Sequence, residues 1–322
     1  MHKRVCIKRD FPLILTLNQN AYYMNKLITL TSIMLFLYSC SGNSSNGSTT
    51  NDSITAGNSP AASSESGKAS LQKAWQTDTV FTTVESTLYD PANNIIYASN
   101  IEGDASTKDG KGSIGKIKPD GTVVNARWVT GLNAPKGMAL LNGKLYVADV
   151  DELVEIDQND GKITKHYPVK GAQFLNDAAT DGTKVYVSDT KTGNVYVLDN
   201  GNISTVATGR DGANGLACDK SGALYILDGK GISKYNVATK QNQFINQAVT
   251  GGDGLVIIDD STYLASRWQG EIYLIKNGKE QMLLDTKADS SNTADISYIP
   301  NEKLVLVPTF LKNKVVAYKL SY

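Results

Sequence analysis

The chain has 322 residues, and 32 basic side chains are balanced by 32 acidic ones. With 41% apolar residues it has enough hydrophobic side chains to bury a core, which excludes a disordered polyelectrolyte. The lack of net positive charge argues against a nucleic-acid-binding protein, and two histidines with three cysteines are too few for a zinc site or a disulfide framework.

The first segment of the chain indicates export. The apolar run Leu27–Leu37 is too short to span a membrane, which takes about 20 residues, and is typical of a signal peptide. It follows a second methionine, Met24, and leads into Leu-Tyr-Ser-Cys, which resembles a bacterial lipobox and ends at Cys40. The resemblance implies a lipoprotein signal peptide over residues 1–39, a true start at Met24 and lipidation of Cys40. The alternative is an ordinary secretory signal with an incidental cysteine.

Residues 40–71 are predicted to be a flexible tether. Of the 30 residues from 41 to 70, 21 are Ser, Gly, Asn or Thr. Such a segment buries too little apolar surface to offset the entropy lost on ordering. We therefore expect a folded domain over 72–322, held by its lipid at a membrane of the bacterial cell envelope.

The folded domain contains six copies of one strand pattern. Each copy is a short run rich in Val, Ile, Leu and Tyr that follows a turn signal such as Asn142-Gly143. Further strands and glycine turns follow each copy, without helical periodicity. The third residues of the copies are Tyr97, Tyr146, Tyr186, Tyr225, Tyr263 and Val305. The pattern predicts an all-β, six-bladed β-propeller of four-stranded blades.

The last copy lacks a strand. It supplies strands only over 294–298, 303–308 and 315–320. A propeller closes without an open edge when the N-terminal segment completes the last blade. We expect the apolar stretch near 79–84 to provide this strand.

Polar residues recur about ten positions before the repeat tyrosines, where the innermost strand of each blade begins. These residues are Glu85, Lys136, Asn176, Asn214, Asp253 and Asp295. Equivalent positions of a propeller converge on its axis, so the carboxylates and amides would form a ring of oxygen donors. Such a ring suits a hard divalent cation, of which Ca²⁺ is the expected one. The alternative is that these residues only cap turns.

Two cations accompany the ring. Lys136 and Arg267 are predicted to contact an anionic substrate or a developing oxyanion, or else to pair with the ring carboxylates. Polar residues that end the second strand of four blades are candidates for supporting the site or for capping loops: Asn100, Asp149, Asp189 and Asp228. Cys218 lies in an apolar run and is expected to be a buried, unreactive thiol.

Four short segments resemble the senescence-marker-protein, gluconolactonase and luciferin-regenerating-enzyme family. They lie at Val84–Tyr89, Leu175–Ala178, Ala213–Ala217 and Gly252–Leu255, in matching blade order, and the resemblance covers the propeller region. It implies a six-bladed propeller with a divalent metal, often calcium, at the base of the channel; Zn²⁺ and Mn²⁺ are the alternatives.

The same resemblance implies roles for individual residues. Glu85, Asn214 and Asp253 match the protein ligands of the family's metal, and Asn176 matches a further residue that contacts metal or substrate. The implied reaction is hydrolysis of a small sugar lactone or related ester, with Asp253 as general base or acid. Independently of the resemblance, we expect a monomer.

The chain also departs from the family. Phe174 stands two residues before Asn176, where the family commonly has a substrate-contacting arginine. The strand pattern Leu-Tyr-Val-Ala-Asp is also similar to NHL-repeat propellers, so the alternative function is a non-catalytic propeller that binds a ligand or protein. Paraoxonase-type and streptogramin-lyase-type propellers depend on histidine, and here His166 lies outside the positions predicted to reach the axis.

Overall fold

Regularly spaced turns fold residues 68–322 into six antiparallel sheets. A computed structural model describes these residues; the predicted signal peptide, Cys40 and the tether up to residue 67 lie outside them. Each sheet has four strands, and the helical content of the described part is one 3₁₀ turn at Lys287–Asp289. No helix there is long and apolar enough to cross a membrane. The predicted all-β, six-bladed propeller with four-stranded blades is confirmed.

The strands of the first three blades follow one another along the chain. Blade one contains β2 (Val84–Asp90), β3 (Ile95–Asn100), β4 (Gly112–Ile117) and β5 (Val123–Leu132). Blade two contains β6 (Pro135–Leu141), β7 (Lys144–Asp149), β8 (Glu152–Asp157) and β9 (Ile163–Pro168). Blade three contains β10 (Leu175–Thr180), β11 (Val185–Asp189), β12 (Asn194–Asp199) and β13 (Asn202–Ala207).

The last blade takes its outermost strand from the other end of the chain. Blade four contains β14 (Leu216–Cys218), β15 (Leu224–Asp228), β16 (Gly231–Asn236) and β17 (Gln241–Asn246). Blade five contains β18 (Leu255–Asp259), β19 (Thr262–Arg267), β20 (Glu271–Lys276) and β21 (Lys279–Asp285). Blade six contains β22 (Ser297–Ile299), β23 (Leu304–Pro308), β24 (Val315–Ser321) and β1 (Ser70–Gln76).

The closing strand is not the one predicted. β1 pairs with β24 from Ser70 opposite Ser321 to Gln76 opposite Val316, whereas residues 77–83 only link blade six to blade one. Closure by an N-terminal strand is confirmed, but its assignment to 79–84 is wrong, and the strand begins two residues inside the predicted tether. An outermost strand packs one face only, so β1 buries just Leu71 and Trp75 in part and carries a weak apolar signal.

The repeat tyrosines pack between blades. One buried apolar cluster lies at each of the six interfaces between neighbouring blades. Tyr97 packs between blades one and two, and Tyr225 and Tyr263 pack between blades four and five. The pattern therefore recurs because each blade needs a large side chain to fill the wedge against its neighbour.

The innermost strands β2, β6, β10, β14, β18 and β22 all begin at one face of the propeller, called here the upper face. On this face the link between the second and third strands has two to six residues in blades two to six but eleven in blade one. This blade-one loop, residues 101–111, accounts for the 49-residue spacing between Tyr97 and Tyr146. β1 begins at the opposite, lower face, because Ser70 pairs with the last residue of β24.

Candidate functional site

β-Bulges aim the predicted residues at the axis. At the start of β2, β6 and β10 the strand register with the neighbouring strand shifts by one residue, around Glu85, Lys136 and Asn176. A bulge leaves one residue unpaired and bends the strand, which re-aims its side chain. Asn214 and Asp253 precede their strands β14 and β18 by two residues, in the loops that enter the upper face.

The structure brings the candidate residues of blades one, four, five and six together. Asn214 Nδ2 donates to Asp253 Oδ1 at 2.7 Å. The backbone N–H of Asp295 donates to the carbonyl of Glu85 at 3.0 Å, and the Asp295 carboxylate accepts from Ser86 Oγ at 2.5 Å. Glu85, Asp253 and Asp295 are all buried.

The electrostatics of this group are strongly unfavourable to negative charge. Burial raises the pKa of Glu85 well above its usual value, and the Asp253 and Asp295 carboxylates raise it further. Burial also raises the pKa of Asp253 to about 7, although its hydrogen bond from Asn214 acts in the opposite direction. Lys136 is the cation that partly offsets the charge of Glu85.

Two acceptors of this group have no donor among the described residues. Glu85 Oε2 and Asn214 Oδ1 are buried and receive no hydrogen bond. Within residues 68–322, no three His, Cys, Asp or Glu side chains are arranged so as to hold a metal ion by themselves. The candidate set differs, because it combines two carboxylates, Glu85 and Asp253, with amide oxygens. Oxygen donors without competing hydrogen bonds fit a hard cation.

A fourth buried carboxylate was not predicted. Asp177 accepts hydrogen bonds from the backbone N–H groups of Ala178 and Leu216, both at 2.6 Å. Burial raises its pKa well above the usual value, and Asp295 raises it further. Asp177 and Asp295 also line a cavity of about 230 Å³ between the innermost strands. Alternation along a strand predicts that Asn176 and Asp177 point to opposite sides, but the bulge in β10 turns Asp177 inward as well.

Lys136 is held by the fold. Its side chain is 1% exposed, and its ammonium donates to the carbonyls of Ala105 at 2.9 Å and Ala134 at 3.0 Å. It also lies 4.4 Å from the centre of the Phe174 ring. Lys136 therefore ties the blade-one loop to the axis, and its predicted contact with substrate stays a prediction.

Asn176 and Arg267 have local partners. Asn176 Nδ2 donates to Thr190 Oγ1 at 3.0 Å, which orients the amide at the channel. Arg267 ends β19 and forms an ion pair with Glu271 at 3.1 Å. Arg267 is not among the charged residues that shift the pKa of Glu85. The structure therefore does not place it with the axial carboxylates.

The aspartates that end the second strands cap loops. Asp149 accepts from the backbone N–H groups of Asn133 and Ala134, and Asp189 accepts from those of Gln173 and Phe174. These bonds hold the loops that lead into β6 and β10. Loop capping alone therefore explains why Asp recurs at the end of the second strand, and no metal is needed to explain it.

Two further residues lie away from the axis. Cys218 is half-buried rather than buried as expected, and desolvation still raises the pKa of its thiol to about 12, which fits an unreactive cysteine. His166 is on β9, the outermost strand of blade two, and lies 3.2 Å from Glu152. The described residues therefore offer no histidine to the channel.

No protein-family model and no curated protein matches the chain. Its fold is similar to solved propeller structures. A putative gluconolactonase has 18% identity and a TM-score of 0.60, over 79% of this chain and 92% of that one. A luciferin-regenerating enzyme has 15% identity and a TM-score of 0.57, over 79% and 96%. Virginiamycin B lyase from Staphylococcus aureus has 12% identity and a TM-score of 0.57, over 79% and 100%. At such identities the likeness shows a shared fold.

Proposed function

We propose that the upper face of the propeller binds a divalent cation, with Ca²⁺ as the expected ion, and hydrolyses a small sugar lactone or related ester. The observation that carries this proposal is a pair of buried acceptors, Glu85 Oε2 and Asn214 Oδ1, that have no donor within residues 68–322. An unsatisfied buried acceptor costs about 1–3 kcal/mol, and an oxygen-liganded cation would offset that cost. Glu85, Asn214 and Asp253 would hold it, with Asn176 as a fourth residue.

The chain's own residues would orient the reactants. A bound divalent cation supplies Lewis acidity towards a carbonyl oxygen. Asn214 holds Asp253 Oδ1 and thereby fixes the orientation of the carboxylate. Asp253 is the proposed general base or acid, which takes a proton from water or returns one to the leaving oxygen. The shared fold of the gluconolactonase and luciferin-regenerating structures supports a propeller of this class.

The decisive experiment compares three properties of the same purified samples. Calcium content, thermal unfolding with and without calcium, and turnover of a lactone panel are measured for the wild type, Glu85→Gln and Asp253→Asn. Asp120→Asn is the control, because Asp120 is an exposed turn residue on the lower face. We expect stoichiometric calcium and turnover in the wild type and control only. Wild type without bound calcium would contradict the metal centre.

The second candidate is a non-catalytic propeller that binds a ligand or protein. Two residues favour this candidate. Phe174 stands where the resemblance implies a substrate-contacting arginine, and the Lys136 ammonium already donates to two backbone carbonyls. Calcium binding without turnover above that of the free ion would select this candidate.

The proposal extends to the location of the protein. We propose a lipid anchor at Cys40 in the bacterial cell envelope, supported by the lipobox-like segment. The first described strand, β1, begins at the lower face, opposite the candidate site. Palmitate labelling of the wild type and Cys40→Ala tests this, and equal labelling of the two would refute the anchor.

A further inference from the structure

An aromatic pair lies on the upper face, with Trp268 exposed and Phe310 half-buried. Trp268, in the link between β19 and β20, is 40% exposed. Its ring contacts that of Phe310 edge to face, with centroids 5.4 Å apart and planes at 80°. Leu311, next to Phe310, is also exposed. Large apolar side chains clustered at the rim of a channel are typical of ligand-binding surfaces.

Backbone contacts place this pair beside the candidate site. Asp253 donates its backbone N–H to the carbonyl of Ser266 at 2.8 Å, and Trp268 follows Ser266 by two residues. On the other side, the backbone of Phe310 forms a β-bridge with Val84, the residue before Glu85. The two rings therefore flank the side of the channel mouth where Glu85 and Asp253 lie.

The link that carries Trp268 is held in place before any ligand binds. Asn292 Nδ2 donates to the Trp268 carbonyl at 3.1 Å, and Thr293 Oγ1 donates to the carbonyls of Arg267 and Glu271.

Phe310 is fixed from the opposite side. It packs against a small buried cluster that includes Ile101, Ala134 and Val150. A surface held in its binding conformation loses little entropy on binding. The neighbouring cation, Arg267, is already paired with Glu271, so the contact surface that remains is aromatic.

We propose that Trp268 and Phe310 form an aromatic subsite that binds a flat apolar ring of the ligand while its carbonyl end lies at Glu85, Asn214 and Asp253. The inference rests on the proposed function and, within its substrate classes, favours related lactones or esters that carry an aromatic ring over simple sugar lactones. An aromatic contact contributes about 0.5–1.5 kcal/mol beyond its buried area, which corresponds to about two- to tenfold in affinity.

Two lactams that are not turned over provide the test. Valerolactam and dihydroquinolinone share the same six-membered lactam, and only the second carries a fused benzene ring. In calorimetry on the full chain with calcium present, we expect dihydroquinolinone to bind about two- to tenfold more tightly than valerolactam. The preference should disappear in Trp268→Ala and persist in Trp268→Phe. It should also persist in the control Phe244→Ala, which removes an aromatic ring that is 41% exposed on β17.

The subsite and the proposed function fail separately. Three outcomes would overturn the subsite. The wild type could bind the two lactams equally, it could bind neither, or the preference could persist in Trp268→Ala. Calcium binding, measured on the same samples, should be the same in the wild type and Trp268→Ala. Wild type that binds no calcium contradicts the metal centre, whatever the lactams show.

Discussion

Asn214 donates to Asp253 across 2.7 Å, and this bond leaves Asn214 Oδ1 buried without a donor among the described residues. The amide oxygen is therefore, like Glu85 Oε2, a buried acceptor that is open to a ligand. A core that carries open acceptors and several carboxylates is less stable than one filled with apolar side chains. Such a cost is typical of a functional site.

We expect Glu85→Gln to raise the free energy of unfolding in EDTA at pH 8, by about 1 kcal/mol or more. The reason is that the substitution removes one negative charge from a buried group of carboxylates. Burial raises the pKa of Glu85, and repulsion by Asp253 and Asp295 raises it further. In the wild type, calcium at 100 times its Kd would raise the free energy of unfolding by about 2.7 kcal/mol. The variant should not show this increase. Urea unfolding with EDTA and with calcium measures both effects. A variant less stable than the wild type in EDTA would contradict the expectation.

Lys136→Met should loosen the blade-one loop. The variant leaves the carbonyls of Ala105 and Ala134 without their buried donor, and a hydrogen bond to a charged group contributes about 1.5–3 kcal/mol. We expect lower stability and rapid trypsin cleavage after Lys108 or Lys111, both in the loop. The control Lys191→Met removes an exposed ammonium that lies 5.3 Å from the centre of the same Phe174 ring. If both variants are cleaved at the same rate, Lys136 does not hold the loop.

Deletion of β1 should open the ring. A chain that begins at residue 68 keeps the strand that pairs with β24, whereas one that begins at residue 78 leaves β24 as an exposed edge. We expect the first chain to unfold cooperatively like the parent and the second to aggregate, as measured by urea unfolding and size-exclusion chromatography. A soluble, cooperative second chain would show that blade six does not need β1.

Cys218 should resist alkylation. A chain that begins at residue 41 retains it as its single cysteine. Burial raises the pKa of this thiol to about 12, so the thiolate is scarce at pH 8 in the folded protein and more abundant after unfolding. Iodoacetamide should therefore react much faster in urea than in buffer. The thiol loses its proton more readily in the unfolded state than in the folded state. The free energy of unfolding should therefore decrease as the pH rises from about 9 towards 12.

Much of the fold follows from local sequence patterns. Asn-Gly turns such as Asn142-Gly143 have the two positive φ angles, 52° and 73°, that a two-residue hairpin requires. The repeat tyrosines mark the second strand of five of the six blades, since the wedge between blades needs a large side chain. The outermost strand β1 was missed because a register shift between Lys73 and Trp75 interrupts its alternation, so its two partly buried side chains, Leu71 and Trp75, lie four residues apart.

The sequence by itself determined the propeller and the residue types at the axis, because turn chemistry and strand alternation act over a few neighbouring residues. Only the tertiary structure decided which of those residues meet. The bulge in β10 brings Asp177 to the axis beside Asp295, and Lys136 is bound to Ala105 in a loop 31 residues earlier in the chain. Contacts between blades form only in the closed ring, and strand alternation does not predict bulges, because a bulge inserts one extra residue into the alternation.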